Sequence, residues 1–435
     1  MAEILQTPRG SCALGGALAA VASINKAVPI LHAGPGCGVQ AFAGQLGNAG
    51  ANRTCFVPDS FPCTNMSQHD VVFGGIDHLD EVIRGSIELL KGELFFVLTG
   101  CTSDIIGDDV ENLVSDYIQR GEPVTFANTG GFHGDGARGY ETVIETALAH
   151  IAPMPETKDE CLVNLLGIGP ALSKCWSGNI EEIARILERL GFRVNTFFTR
   201  GEGYAQLRAA SRASANIILS PHLLAEAEKQ FESLHGIKSF RYPGVPAGPT
   251  ETTDFVRKAS EFLGVDSALA DRVIREEEAY FFDYASATAM RIPTEKIAIV
   301  ADANTAIGLT RFLANDYSQQ VVKVIVTDDV PEMIQPVVRG RLGGFRWLPD
   351  PDIHFLQDDY DIKQALAGDE FDMILGSSLE DEIVVPRGLQ FQVVSLPAGP
   401  DMILSKAYAG YRGGLTFLED FINACRPVHI PGISL

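Results

Sequence analysis

Three times along this chain a short, continuous apolar run is followed by a Gly/Asp/Ser-rich turn and an amphipathic helical stretch. The runs are Val28-Pro29-Ile30-Leu31 and Leu94-Phe95-Phe96-Val97-Leu98, then Leu162-Val163-Asn164-Leu165-Leu166, Phe192–Phe197 and Asn216-Ile217-Ile218-Leu219, and finally Lys296–Val300, Val322–Thr327, Asp352–Phe355 and Met373–Gly376. A strand that is apolar on both faces is buried on both faces, as in a parallel sheet flanked by helices. The pattern therefore predicts an α/β protein of three Rossmann-like domains, each built on an open parallel sheet. A chain of 435 residues is also too long for one hydrophobic core. We place the domains at residues 1–155, 156–290 and 291–435. The breaks are read from Pro153 and Pro155 near Ile151–Lys158, and from the Ser286–Pro293 stretch.

Composition narrows the function. Apolar residues make up 46% and charged residues 21%, which excludes disorder as the main state. Lys and Arg number 34 against 56 Asp and Glu, a net charge of −22. Such a chain repels phosphate backbones, so neither nucleic acid nor an anionic membrane surface is an expected partner. No apolar stretch approaches the ~20 residues of a membrane span. Met1 to Gly10 lacks the apolar core of a signal peptide, and a reduced, cytoplasmic protein is expected.

The eight cysteines are Cys12, Cys37, Cys55, Cys63, Cys101, Cys161, Cys175 and Cys425. Three of them sit at element ends. Cys12 precedes a run of small residues, Ala13 to Ala20, that reads as a tightly packed helix start. Cys37 follows the Gly-rich turn after the first strand, and Cys101 follows the strand ending Leu98-Thr99-Gly100. Open α/β sheets bind ligands beyond the carboxyl ends of their strands, so these three can meet at one point. Gly36 and Gly100, directly before Cys37 and Cys101, allow backbone to approach a bulky inorganic group. Zinc is disfavoured because no Cys-x-x-Cys pair occurs. Thiolates suit an iron–sulfur cluster, while burial as small hydrophobes stays open. The Gly34-x-Gly36-x-Gly38 spacing does not fit a dinucleotide loop, and there is no phosphate-binding Gly-x-x-x-x-Gly-Lys-Ser/Thr, so ATP hydrolysis is not expected of this chain.

Three segments together resemble nitrogenase component 1 and its relatives: Cys12-Ala13-Leu14-Gly15-Gly16-Ala17, His32-Ala33-Gly34-Pro35-Gly36-Cys37, and Thr99-Gly100-Cys101-Thr102-Ser103-Asp104-Ile105-Ile106-Gly107-Asp108-Asp109. Val71-Val72-Phe73-Gly74-Gly75 is similar too. The resemblance implies that Cys12, Cys37 and Cys101 hold half of an iron–sulfur cluster at a subunit interface. That cluster is of the 8Fe–7S P-cluster type, or 4Fe–4S in some relatives. It further implies a homologous α-like partner in an α2β2 heterotetramer, and an ATP-dependent homodimeric iron–sulfur reductase protein that delivers electrons. The middle segment Ile217–Leu224 lacks the Cys of the catalytic α-type chain, and Pro397 to Ala409 has neither Cys nor His. The chain thus resembles the β-type subunit, an electron relay.

Two departures set it apart from the molybdenum enzyme. Gly131 stands where the β-type chain has a Ser able to ligate the oxidised cluster, and only eleven residues precede Cys12. A nitrogenase-like reductase is therefore expected, acting on dinitrogen or a small methylthio-alkane by C–S cleavage. The alternative is a non-catalytic scaffold for cofactor assembly. Cys55 and Cys63 read as loop or interface cysteines, with extra ligands or neighbours of the cluster as the alternative. Cys161, Cys175 and Cys425 read as packing residues. His32 is either a cluster hydrogen-bond donor or structural. His133 lies in what reads as a flexible loop, and Asp104, Asp108 and Asp109 read as caps of the next helix.

Overall fold

The computed structural model describes residues 7–39, 61–154, 157–170, 172–199, 201–288, 292, 294–368, 370–399, 401 and 403–425. The expected architecture is present: an α/β protein with three open, wholly parallel sheets. The first sheet holds β1 (Ala27–His32), β2 (Leu94–Thr99) and β3 (Val124–Ala127) in that order. The second holds β4 (Asp159–Leu166), β5 (Arg193–Asn195), β6 (Ala213–Leu219) and β7 (Lys238–Tyr242) in the order β5-β4-β6-β7. The third holds β8 (Lys296–Ala301), β9 (Gln320–Val326), β10 (Asp352–Phe355), β11 (Met373–Gly376) and β12 (Gln390–Val393) in the order β10-β9-β8-β11-β12.

Burial explains which strands the sequence announces. All six residues of β1 and of β2 are buried, and β11 is buried throughout. A buried Val, Leu or Ile contributes about 1.5–3 kcal/mol, so these runs hold the sheets against helices on both faces. The strands that no apolar run announces are β3, β7 and β12, and each is an edge strand. An edge strand tolerates polar residues, as in Lys238-Ser239-Phe240-Arg241-Tyr242.

In register, Leu31 pairs with Leu98 and His32 with Thr99, while Leu98 pairs with Ala127. The carboxyl ends of β1, β2 and β3 are therefore level, and the segments holding Cys37, Cys101 and Gly131 leave the sheet side by side. A helix of the second domain runs from Trp176 to Arg189. Gly178 lies inside it because the backbone of Lys406 packs there; a Cβ would sit 2.3 Å from the Lys406 carbonyl oxygen. The last helix, Gly410–Ala424, follows the third sheet in sequence yet packs on the helices Trp176–Arg189, Gly248–Leu263 and Ser267–Ala285 of the second.

Candidate functional site

The helix Ala13–Ala22 begins immediately after Cys12, whose backbone is extended. Its small-residue face lies directly on the helix Gly136–Thr146. A Cβ at Gly16 would come within 1.9 Å of the Gly136 carbonyl oxygen, and one at Gly139 within 1.9 Å of the Ala13 carbonyl oxygen. Cys12 also forms an isolated antiparallel bridge with Asp135, and the Ala13 N–H donates to the Gly134 carbonyl at 2.9 Å. Backbone contact on both sides thus fixes Cys12 beside the turn that follows β3.

Cys101 opens the helix Cys101–Ile106 at the carboxyl end of β2. A 3₁₀ turn, Gly131–His133, faces it where a flexible loop was expected. The Thr129 N–H donates to Thr99 Oγ1 at 3.0 Å, and Thr129 Oγ1 donates to the Thr99 carbonyl at 2.8 Å. Asp104 Oδ2 accepts the Gly130 N–H at 3.1 Å and lies 3.0 Å from His133 Nε2. So held, the turn aims the Gly131 N–H at Cys101 Sγ, 3.0 Å away. A Cβ on Gly131 would meet Cys101 Sγ at 3.2 Å, Cys12 Cβ at 3.3 Å and Cys12 Sγ at 3.6 Å. Gly131 is the floor on which these two cysteines meet, and an N–H donor to sulfur stabilises thiolate and cluster ligand alike.

Cys37 lies in a helical stretch at residues 35–39 beyond β1. Burial pushes its thiol pKa up, and the nearby thiols of Cys101, Cys12 and Cys63 push it further. Cys37 is thus within electrostatic reach of the other two predicted ligands. Cys63 is closer to the site than a bland loop cysteine: it bridges Leu31, its Sγ accepts the Asn65 N–H at 3.3 Å, and its thiol pKa is raised by burial. All seven described cysteines are free, and Cys12, Cys37, Cys63 and Cys101 are each half-buried. Cys55 lies outside the described residues.

The two predicted glycines differ. A Cβ at Gly100 would sit 2.6 Å from Ala33 Cβ, so the closeness of β1 and β2 already accounts for that glycine. At Gly36, among the described residues, nothing lies within 4 Å of a Cβ. His32 resolves to its structural reading: fully buried, it places Nε2 2.9 Å from Asp108 Oδ2 and Nδ1 3.3 Å from Thr64 Oγ1. Burial lowers its pKa, with Asp108 opposing the shift. Of the three expected helix caps only Asp109 is one, accepting the Asn112 N–H at 3.1 Å. Cys175 and Cys425 are buried as expected, but Cys161 is exposed, because the first half of β4 runs beyond the cover of its neighbours.

Among the described residues no three His, Cys, Asp or Glu side chains come close enough to hold a single metal ion. Cys12, Cys37 and Cys101 are instead three half-buried thiols borne by the loops and helix starts around the first sheet. Soft sulfur donors beside a glycine that leaves little room for a side chain fit the edge of a polynuclear iron–sulfur cluster. Large apolar residues stand exposed next to them in sequence: Val39 after Cys37, Ile105 after Cys101, Phe132 after Gly131, with Val72 and Phe73 on the helix Gln68–Phe73. Among the described residues no helix is long and apolar enough to cross a membrane.

Residues 12–426 match the family described as nitrogenase component 1 type oxidoreductase. The chain belongs to this family. It is 25% identical over 336 residues to the nitrogenase molybdenum-iron protein beta chain of Bradyrhizobium diazoefficiens, an alignment spanning 70% of this chain and 62% of that one. The beta chain of Azospirillum brasilense is 22% identical, with 88% of this chain and 76% of the other covered. The nitrogenase iron-molybdenum cofactor biosynthesis protein NifE of Sinorhizobium fredii is 25% identical, with 82% and 73% covered. In fold, the chain superposes on nitrogenase Cp1 at pH 6.5 with a TM-score of 0.80 over 98% of its length and 94% of the other, at 17% identity. The likeness to beta chains bears out the β-type resemblance of the sequence, and the component 1 fold extends over nearly the whole chain.

Proposed function

We propose that this chain is the β-like, electron-relaying subunit of a nitrogenase-like reductase, and that Cys12, Cys37 and Cys101 hold its half of an iron–sulfur cluster shared with an α-like partner. The observation that carries this reading is the meeting of Cys12 and Cys101 on Gly131, with Cys37 in electrostatic reach. A bound cluster of the P type would accept and release single electrons between an ATP-dependent iron protein and a metallocofactor in the partner. This chain's own part is to hold the thiols. The Gly131 N–H donates to Cys101 Sγ and fixes where that sulfur stands. Asp104 locks the turn that carries this donor. The exposed Val39, Ile105, Phe132 and Phe73 supply an apolar rim for the partner, which would exclude water from the shared site. Reduction of dinitrogen or of a small methylthio-alkane would then occur in the partner.

The test is anaerobic co-purification with the α-like homologue, followed by iron and sulfide analysis and EPR. The wild-type pair is expected to carry an interface cluster and Cys101→Ala to lose it, together with electron delivery. Full cluster content in Cys101→Ala would sink the assignment. The likeness to the NifE protein favours a second reading, a scaffold for cofactor assembly. A pair that binds a precursor cluster and passes it to an apo-enzyme, without reducing substrate itself, would select that reading.

A further inference from the structure

The residues before Cys12 run away from the first sheet and onto the third. The Thr7 N–H donates to Asp358 Oδ2 at 3.0 Å, and the Thr7 carbonyl accepts the Asp359 N–H at 3.1 Å. Pro8 forms an isolated antiparallel bridge with Asp358. Arg9 then buries its guanidinium. Nη1 donates to Asp359 Oδ1 and to Glu380 Oε1, each at 2.7 Å. Nη2 donates to Ser377 Oγ at 2.6 Å and to Glu380 Oε2 at 3.1 Å. The Arg9 side chain is 5% exposed, and those of Asp359 and Glu380 are 3% and 1% exposed.

Ser377 directly follows β11, beside β8, where the order of crossovers reverses. An open α/β sheet ordinarily takes its ligand at this crevice. In this chain the crevice is filled by a side chain of the same polypeptide. Only Gly10 and Ser11 separate Arg9 from Cys12. Three Cα steps reach at most about 11 Å even when fully extended, so the tether has little slack. Ser11, though exposed, lies close against two glycines at its far end: a Cβ at Gly15 would lie 2.7 Å from Ser11 Cβ, and one at Gly136 2.5 Å from Ser11 Oγ.

We propose that Arg9 is a positioning residue for Cys12. Clamped at the end of β11, it holds the tether that sets how the Cys12 thiol stands, and so links the third sheet to one donor of the site. The guanidinium fork spans two carboxylates and a hydroxyl at once, which a lysine ammonium matches only in part. Without it the buried Glu380 loses its cation while Asp359 keeps only Lys363, so the clamp opens rather than loosening by degrees. This inference rests on the reading of Cys12 as a cluster donor, yet clamp and tether are testable on the cluster-free full chain.

The experiment is pulsed alkylation with iodoacetamide under anaerobic, reducing conditions, read by mass spectrometry at Cys12 and Cys101. Since modification follows the locally open fraction, Arg9→Gln is expected to speed Cys12 by about tenfold and Cys101 by less than about twofold, with Arg9→Lys in between. Amide exchange at Ser11 to Ala13 should rise in the same order. Arg185→Gln, which breaks a buried ion pair with Glu277 beside the second sheet, controls for general destabilisation and should leave Cys12 at its wild-type rate. An unchanged Cys12 rate in a destabilised Arg9→Gln chain would overturn the proposal, leaving Arg9 as a tie of the third sheet alone. Should Arg9→Gln not fold, Ser377→Ala removes one acceptor of the fork and must speed Cys12 by about threefold, or the proposal fails. A clamp that behaves as expected in a chain whose wild-type pair binds no iron would leave this inference standing while the proposed function fell.

Discussion

Asp104 and Asp108 lie four residues apart after β2, and each holds a different loop. Asp104 secures the turn at Gly131, and Asp108 secures the entry to the helix Ile76–Leu89. The Asp108 carboxylate accepts the Gly75 N–H through both oxygens at 3.1 Å and faces His32 Nε2. Replacing it by alanine strands a buried imidazole and a backbone donor. Asp108→Ala should therefore lose about 1–3 kcal/mol for each group left unpaired, seen as a lower urea midpoint. The same variant should lower the His32 pKa further, because the carboxylate now opposes the effect of burial. An unchanged NMR titration of His32 would contradict the pairing. Sequence spacing suggested helix caps for all three aspartates because Asx residues before an apolar run ordinarily cap. Two of them instead reach across to other loops, a choice made by contacts 26 to 76 residues away in the chain.

Among the elements, the helix pair Ala13–Ala22 and Gly136–Thr146 decides where Cys12 stands. Glycines on both helices bring the backbones into contact, with no room for a methyl group at Gly16 or Gly139. Gly139→Ala must push the helices apart, and overpacking of this kind costs about 1–3 kcal/mol. Thermal unfolding should register the loss, and the Gly134 carbonyl should release the Ala13 N–H, read as faster amide exchange at Ala13. A wild-type exchange rate there would show that the pair tolerates the methyl group. The small-residue run after Cys12 was legible as a tightly packed helix start. Its partner was not, since Gly136 and Gly139 follow a glycine-rich stretch that reads as loop, and only Asp135 capping at the Arg138 N–H makes it a helix start.

At the scale of the whole molecule, buried titratable groups tie the sheets together. Asp302 caps the helix Ala303–Tyr317 through the Thr305 N–H at 3.0 Å, and Asp328 Oδ1 accepts the Ala303 N–H at 2.8 Å. Burial pushes both carboxyl pKa values up, and for Asp302 the neighbouring Asp328 adds to it. His222, carried on the second sheet's side, places Nε2 3.3 Å from Asp328 Oδ2, while burial lowers its own pKa. Burial likewise pushes Asp316 up to about 7. A carboxyl whose pKa is raised by folding binds more protons in the native state than in the unfolded chain, so stability falls as pH rises from about 4 towards neutrality. The urea midpoint should therefore decline over that range. Asp302→Asn keeps an acceptor for the Thr305 N–H but removes the charge, so it should flatten the decline and stabilise the protein above neutral pH. A parallel decline in wild type and variant would show that Asp302 is already ionised there.

The amino-acid sequence alone determined the three parallel sheets and the identity of the thiols at the carboxyl ends of the first. Buried strands must be written as continuous apolar runs, and a ligand-bearing loop must follow a strand's end. It did not reveal the edge strands β3, β7 and β12, because these three carry no long apolar run. Nor did it show that Gly131 is the floor beneath Cys12 and Cys101, that Cys63 joins their neighbourhood, or that Arg9 reaches Ser377 and Glu380. Each of these is a contact between residues far apart in the chain. Local propensity and periodicity carry no record of such contacts, and only the packing of loops against one another, within the first sheet and between it and the third, brings them into being.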